Sequence, residues 1–154
     1  MSSSDDIILQ SMEDLQDKVQ SIATMQGFNN ILLCLSTVDL EEMLTPGTSL
    51  PAVGIMYVGQ SSYYKTLHGI PKSSHNVGLA TMARFSLVLL TESKTLFGVD
   101  TKPTALNALN AMRQVVKDTT GPSGHFWKFV AEVPAAERDG TLIWMQNWEV
   151  PVLI

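Results

Sequence analysis

Few residues here have the type and spacing for chemistry. The single cysteine, Cys34, stands inside Leu32-Leu33-Cys34-Leu35. A nucleophilic thiol needs exposure and a neighbouring base, so this apolar setting predicts a buried, inert side chain. One cysteine also excludes an intramolecular disulfide framework and a multi-cysteine zinc site. His68, His75 and His125 have no i, i+4 spacing and no nearby carboxylates that would complete a metal site. Carboxylates fit for acid–base work need burial to raise a pKa, yet nearly every acid here falls on a polar helix face or in a loop. No Gly-Lys-Ser/Thr follows Gly54 or Gly59, so there is no phosphate loop. The expectation is a protein that is not an enzyme, with no catalytic residue, no cofactor and no metal.

What remains is contact chemistry. Residues 45–91 contain no acid but carry Tyr63, Tyr64, Lys65, His68, Lys72, His75 and Arg84. Residues 1–44 hold eight acids, among them Glu13, Asp14 and Asp17, against one base, Lys18. Such polarity bears on association rather than fold. If the Tyr/Lys/His segment of one copy reached the acidic helix face of its neighbour, the contact would be heterologous, and repetition would close a ring. An ordinary solvated acidic helix beside a neutral core accounts for the same charges. Tyr63-Tyr64-Lys65 is a faint trace of a single-strand nucleic-acid platform, but tyrosines at protein interfaces explain it equally. A chain of pI about 5.0 is a poor general binder of phosphate backbones.

At 154 residues the chain predicts one domain, 1–154. Its 45% hydrophobic and 16% charged residues exclude a disordered chain. No apolar run reaches 18 residues, so no membrane span is expected, and the acidic start Met1–Asp6 does not read as a signal peptide.

The elements that must position these residues follow from periodicity. Ile8, Met12, Leu15, Val19 and Ile22 mark one face of a helix from about Ser4 to Gly27, capped by Ser4 or Asp5 and leaving through a left-handed Gly27. Ile31–Leu35 reads as a strand buried on both faces, and Asp39–Leu44 as one helical turn or a loop. Ala52–Val58 is a second strand with Val53, Ile55 and Tyr57 on one side. Residues 59–77 form a projecting arm, either a long loop or a twisted hairpin with its tip near His68 to Ser74. Leu79–Thr91 is a strand in which Phe85, Leu87 and Leu89 alternate with Arg84, Ser86 and Val88. A second helix opens at Asp100 or Thr101 with Pro103, buries Ala105, Leu109, Met112 and Val116, and is ended by Gly121-Pro122. Phe126–Ala131 and Thr141–Val152 are strands joined by a polar loop, Pro134–Gly140, whose Glu137, Arg138 and Asp139 join the candidate contact residues. Gln146 lies between Trp144 and Trp148 as a partner for an indole N–H. The order α-β-β-β-α-β-β gives an α+β fold: two helices on one face of a mixed, mainly antiparallel sheet.

Several of these runs together resemble one family. They are Pro51-Ala52-Val53-Gly54-Ile55, the glycine and polar arm after it, the Arg84-Phe85-Ser86-Leu87 strand, the helix with Leu106, Leu109 and Arg113, and the closing Trp144-Met145-Gln146-Asn147-Trp148. From residue 7 to 154 the chain resembles tail terminator proteins of tailed phages, most closely those of contractile-tailed phages and Mu-like prophages. The resemblance implies a virion structural protein, made in the host cytoplasm. Its subunits form a homo-oligomeric ring, of six copies in this family, at the head-proximal end of the tail. Its partners would be other copies of itself, the tail tube protein, the neck or head-completion protein and, in contractile tails, the sheath protein. DNA would pass through the lumen unread, and no membrane would be involved. Such a ring needs one face that binds a tube subunit and another that refuses the next one. The arm Gln60–Asn76 and the loop Ala135–Gly140 are the expected partner-facing segments. A neck, connector or tube-initiation subunit is the nearest alternative. A small-molecule or peptide binding module is the alternative from another class.

Overall fold

The computed structural model describes residues 6–44, 49–62, 80–93 and 102–153. Its elements are α1 (Ile7–Ser21), α2 (Ala23–Gln26), β1 (Asn30–Cys34), α3 (Thr37–Met43), β2 (Ala52–Ser62), β3 (Ala80–Glu92), α4 (Lys102–Val116), β4 (Lys128–Arg138) and β5 (Thr141–Leu153). The five strands form one sheet in the order β1-β2-β3-β5-β4. β1 runs parallel to β2 and every other pair is antiparallel. The fold is α+β, with a mixed and mainly antiparallel sheet.

Periodicity explains the main packing layer. On α1, Met12, Leu15 and Val19 are buried, and on α4 Ala105, Leu109, Met112 and Val116 are buried. Both helices cover the sheet face that carries Val53, Ile55, Phe85, Leu87, Leu89, Trp148 and Val150. Phe85 sits at the centre, with Tyr57 and Trp127 at ring-centroid distances of 5.6 and 5.5 Å. The other face carries a smaller core of Cys34, Met43, Ala52, Val88, Leu90 and Ile143 beneath α3. Helices therefore lie on both faces: α1 and α4 on one, the short α3 on the other. Val88 is as fully buried as Leu87, because α3 covers the second face there.

Four expectations about elements need correction. The first helix is broken at Ile22, whose φ of −108° and ψ of 4° leave the helical region, and its cap is Asp6, which accepts from the amides of Ile8 and Leu9. Ser4 and Asp5 lie outside the described residues; Gly27 does take the left-handed exit, at φ 70°. β1 is an edge strand rather than a doubly buried one, and its Leu32 is 46% exposed. A parallel edge strand has a neighbour on one side only, so its apolar run is covered incompletely. The second helix ends at Val116, before Gly121-Pro122.

The largest correction concerns Pro134–Gly140. These residues are not a loop up to Arg138. β4 and β5 pair as far as Arg138↔Thr141, joined by Asp139-Gly140 alone. Both turn residues have positive φ, 51° and 85°, the requirement of a two-residue type I′ hairpin. Register shifts between Phe129 and Ala131 and between Pro134 and Ala136 bulge the strand. Pro134 is accommodated there because β4 is an edge strand, where a missing N–H need not break a ladder.

Candidate interaction surfaces

The described residues of the two segments expected to face partners, Gln60–Ser62 and Ala135–Gly140, lie at opposite ends of the sheet. β2 and β3 pair antiparallel out to Ser62↔Thr81, with a bulge between Tyr57 and Gly59 where Gly59 has φ 139°. This makes the base of the arm a hairpin, with Thr81 Oγ1 donating to Gln60 Oε1. Tyr63, Tyr64, Lys65, His68, Lys72 and His75 lie outside the described residues. At the other end, Glu92 pairs with Thr141, and the amide of Ser93 donates to Gly140 O at 2.8 Å. Along β3 the arm base and the Asp139-Gly140 turn are roughly 35–40 Å apart, at about 3.3 Å per residue.

Glu137, Arg138 and Asp139 are all exposed at that turn. Arg138 Nη1 donates to Glu41 Oε1 of α3 at 2.7 Å, and this carboxylate pushes the guanidinium pKa up from its ordinary value. The structure thus joins two charges that stand far apart in the chain.

The acidic face of α1 is only partly available. Asp14 Oδ2 accepts from Lys18 Nζ at 2.6 Å and from Trp127 Nε1 at 2.8 Å. Asp14 is therefore a brace between α1 and the segment before β4, which satisfies a buried indole N–H. Glu13 is half-buried and Asp17 exposed on the same helix.

Two further surfaces were not anticipated. Between β1 and α3 lies a groove of about 420 Å³, lined by Asn30, Leu32, Leu33, Cys34, Met43 and Ser49, with Asp39 and Glu42 alongside. Cys34 Sγ is 3.4 Å from Met43 Sδ at its inner end. Burial, then the charge of Asp39, pushes the thiol up to about 11, which keeps it protonated and unreactive near neutrality. On the same side of the sheet, beyond α3, Val58, Val130 and Val133 are exposed beside Arg84, Met145 and Asn147. Beneath them the hydroxyl of Ser86 is buried without a hydrogen-bond partner.

One polar network belongs to the fold rather than to a surface. Trp148 Nε1 donates to Gln146 Oε1 at 2.8 Å, the pairing expected from their spacing. The Gln146 amide in turn donates to Leu109 O and to Glu132 Oε1. Arg113 Nη1 reaches both oxygens of Glu132. Nothing local in the sequence signals the Arg113–Glu132 contact, which depends on how α4 crosses β4. Among the described residues no group of three or more His, Cys, Asp or Glu could hold a metal ion. Nor is any helix among them long and apolar enough to cross a membrane.

No protein-family model matches the chain, and no curated protein matches it. Among solved structures, one from Akkermansia muciniphila, described as without its transmembrane region, aligns over 93% of this chain and 82% of its own at 9% identity. Its TM-score is 0.31, which carries no argument about fold or function.

Proposed function

We propose that the chain is the subunit of a homo-oligomeric ring that terminates a phage tail tube, stops its growth and offers a joining surface to the neck. One observation carries the proposal beyond the resemblance. Two polar segments, the arm base at Gln60–Ser62 and the turn at Glu137–Gly140, occupy opposite ends of one sheet. A terminator must bind unlike neighbours above and below, and a stiff sheet with distinct chemistry at each end supplies that polarity. Lateral contacts between copies would use the acid-free arm against the acidic N-terminal part of the next subunit.

Tube capping tests this reading. Tubes of the cognate tail tube protein, grown with labelled chain present, should stop elongating and carry label at one end only. Label along the tube wall, or growth that continues unchanged, contradicts it.

A further inference from the structure

We propose that the β1–α3 groove receives residues 63–79 of a second copy of this chain. The inference rests on the ring reading above and names the surface its lateral contact uses. Leu32, Cys34 and Met43 give the groove apolar lining, and Asp39 and Glu42 line it too. Leu32 of its lining is 46% exposed, and Leu35 and Val38, next in the chain to the lining residues Cys34 and Asp39, are 71% and 62% exposed. Neither the pairing of β1 nor the packing of α3 requires apolar side chains at such exposed positions. The surface therefore combines apolar contact area with carboxylates, which suits a basic segment bearing aromatic rings.

Residues 63–79 have that composition: Tyr63 and Tyr64 for the apolar contact, Lys65 and Lys72 for the carboxylates, His68 and His75 besides, and no acid. The rival acidic surface fits less well. On α1, Lys18 interrupts the negative field, and no large apolar residue is exposed on the helix. Each copy would use one groove and one arm, so the contact is heterologous and repeats head to tail. Being partly ionic and at the surface, it weakens as salt rises.

The test uses a labelled peptide of residues 60–79 and full-length protein carrying Lys65→Glu and Lys72→Glu, so that the protein's own segment does not compete. Binding is expected, tenfold weaker or more when Glu42→Lys is added, and unchanged by Asp17→Lys. Glu42 is exposed on α3; should that variant misfold by circular dichroism, Leu35→Ser replaces it with the same expectation. No binding, or binding indifferent to both groove variants, overturns the inference. Mixing gives a second readout. Protein with only Glu42→Lys keeps an intact arm, and protein with only the two lysine reversals keeps an intact groove. Their mixture should form a dimer of about twice 16.9 kDa, whereas a mixture that stays monomeric counts against docking between copies. If rings form but dissolve with Asp17→Lys and not with Glu42→Lys, the groove is wrong and the ring reading stands. If the peptide binds the groove but no ring ever forms, the ring reading fails and the groove stands.

Discussion

Arg138 and Glu41 are held 2.7 Å apart across the second face of the sheet, tying the tip of the β4–β5 hairpin to α3. Their side chains are 52% and 55% exposed, so solvent screens the attraction and the pair contributes little to stability. The contact orients a turn more than it stabilises the domain. Removing either partner should shift the urea midpoint little, and in a double-mutant cycle Arg138→Ala and Glu41→Ala should add, with no resolvable coupling. A large coupling would mean that the tip is part of the folding core.

Gln146 should behave in the opposite way. It is fully buried and serves Trp148, Leu109 and Glu132 at once. Gln146→Leu keeps the size but strands the Trp148 N–H and removes a donor from Leu109 O and from Glu132 Oε1, which keeps Arg113, at a cost of about 1–3 kcal/mol. Denaturant unfolding of the variant measures it directly. A loss below about 0.5 kcal/mol would show that the network is dispensable.

Gly54 marks a close approach between β2 and α3. A Cβ there would stand 2.9 Å from Cys34 Sγ and 3.1 Å from Met43 Sδ. Gly54→Ala should therefore destabilise by about 1–3 kcal/mol through overpacking. Adding Cys34→Ala removes the nearer sulfur and should recover part of that loss. Equal losses in the single and double variants would place the strain elsewhere.

The Cys34 thiol offers a pH test. Its folded pKa is raised from 9.0 to about 11 by burial and then by Asp39. The native state then holds its proton more tightly than the unfolded chain does. This contribution to stability is complete below pH 9 and is lost as the pH rises from 9 to 11. Cys34→Ser should flatten the decline over that window, measured by urea unfolding at fixed pH values. At pH 8 a thiol reagent should label the unfolded chain quickly and the native protein slowly. Fast native labelling would contradict the buried placement.

Legibility in the sequence followed periodicity. The alternation of Val53, Ile55 and Tyr57, the alternation of Phe85, Leu87 and Leu89, and the helical stripe from Ala105 to Val116 each repeat with the period of the element they build. The structure buries them as that period requires, Tyr57 in part. β4 escaped for the converse reason. As a bulged, solvated edge it has no apolar alternation, and Pro134 with a polar run reads as a loop until the Asp139-Gly140 turn is taken as a two-residue hairpin. The surfaces were less legible still. Arg138–Glu41 and Trp127–Asp14 join residues 97 and 113 positions apart, and the β1–α3 groove exists only because a short helix crosses one sheet face. Charge polarity along the chain pointed to association, but only the packing sets apolar side chains beside acids at the groove and not on α1.

Solution mass is the most direct test of the central claim. Light scattering on a sizing column at two concentrations, with negative-stain images of the peak, should give six times 16.9 kDa, about 101 kDa, and ring-shaped particles with an open bore. Reversing Lys65 and Lys72 to glutamate should shift that species toward the monomer. A protein that stays monomeric at both concentrations and forms no ring on tube ends would contradict the account.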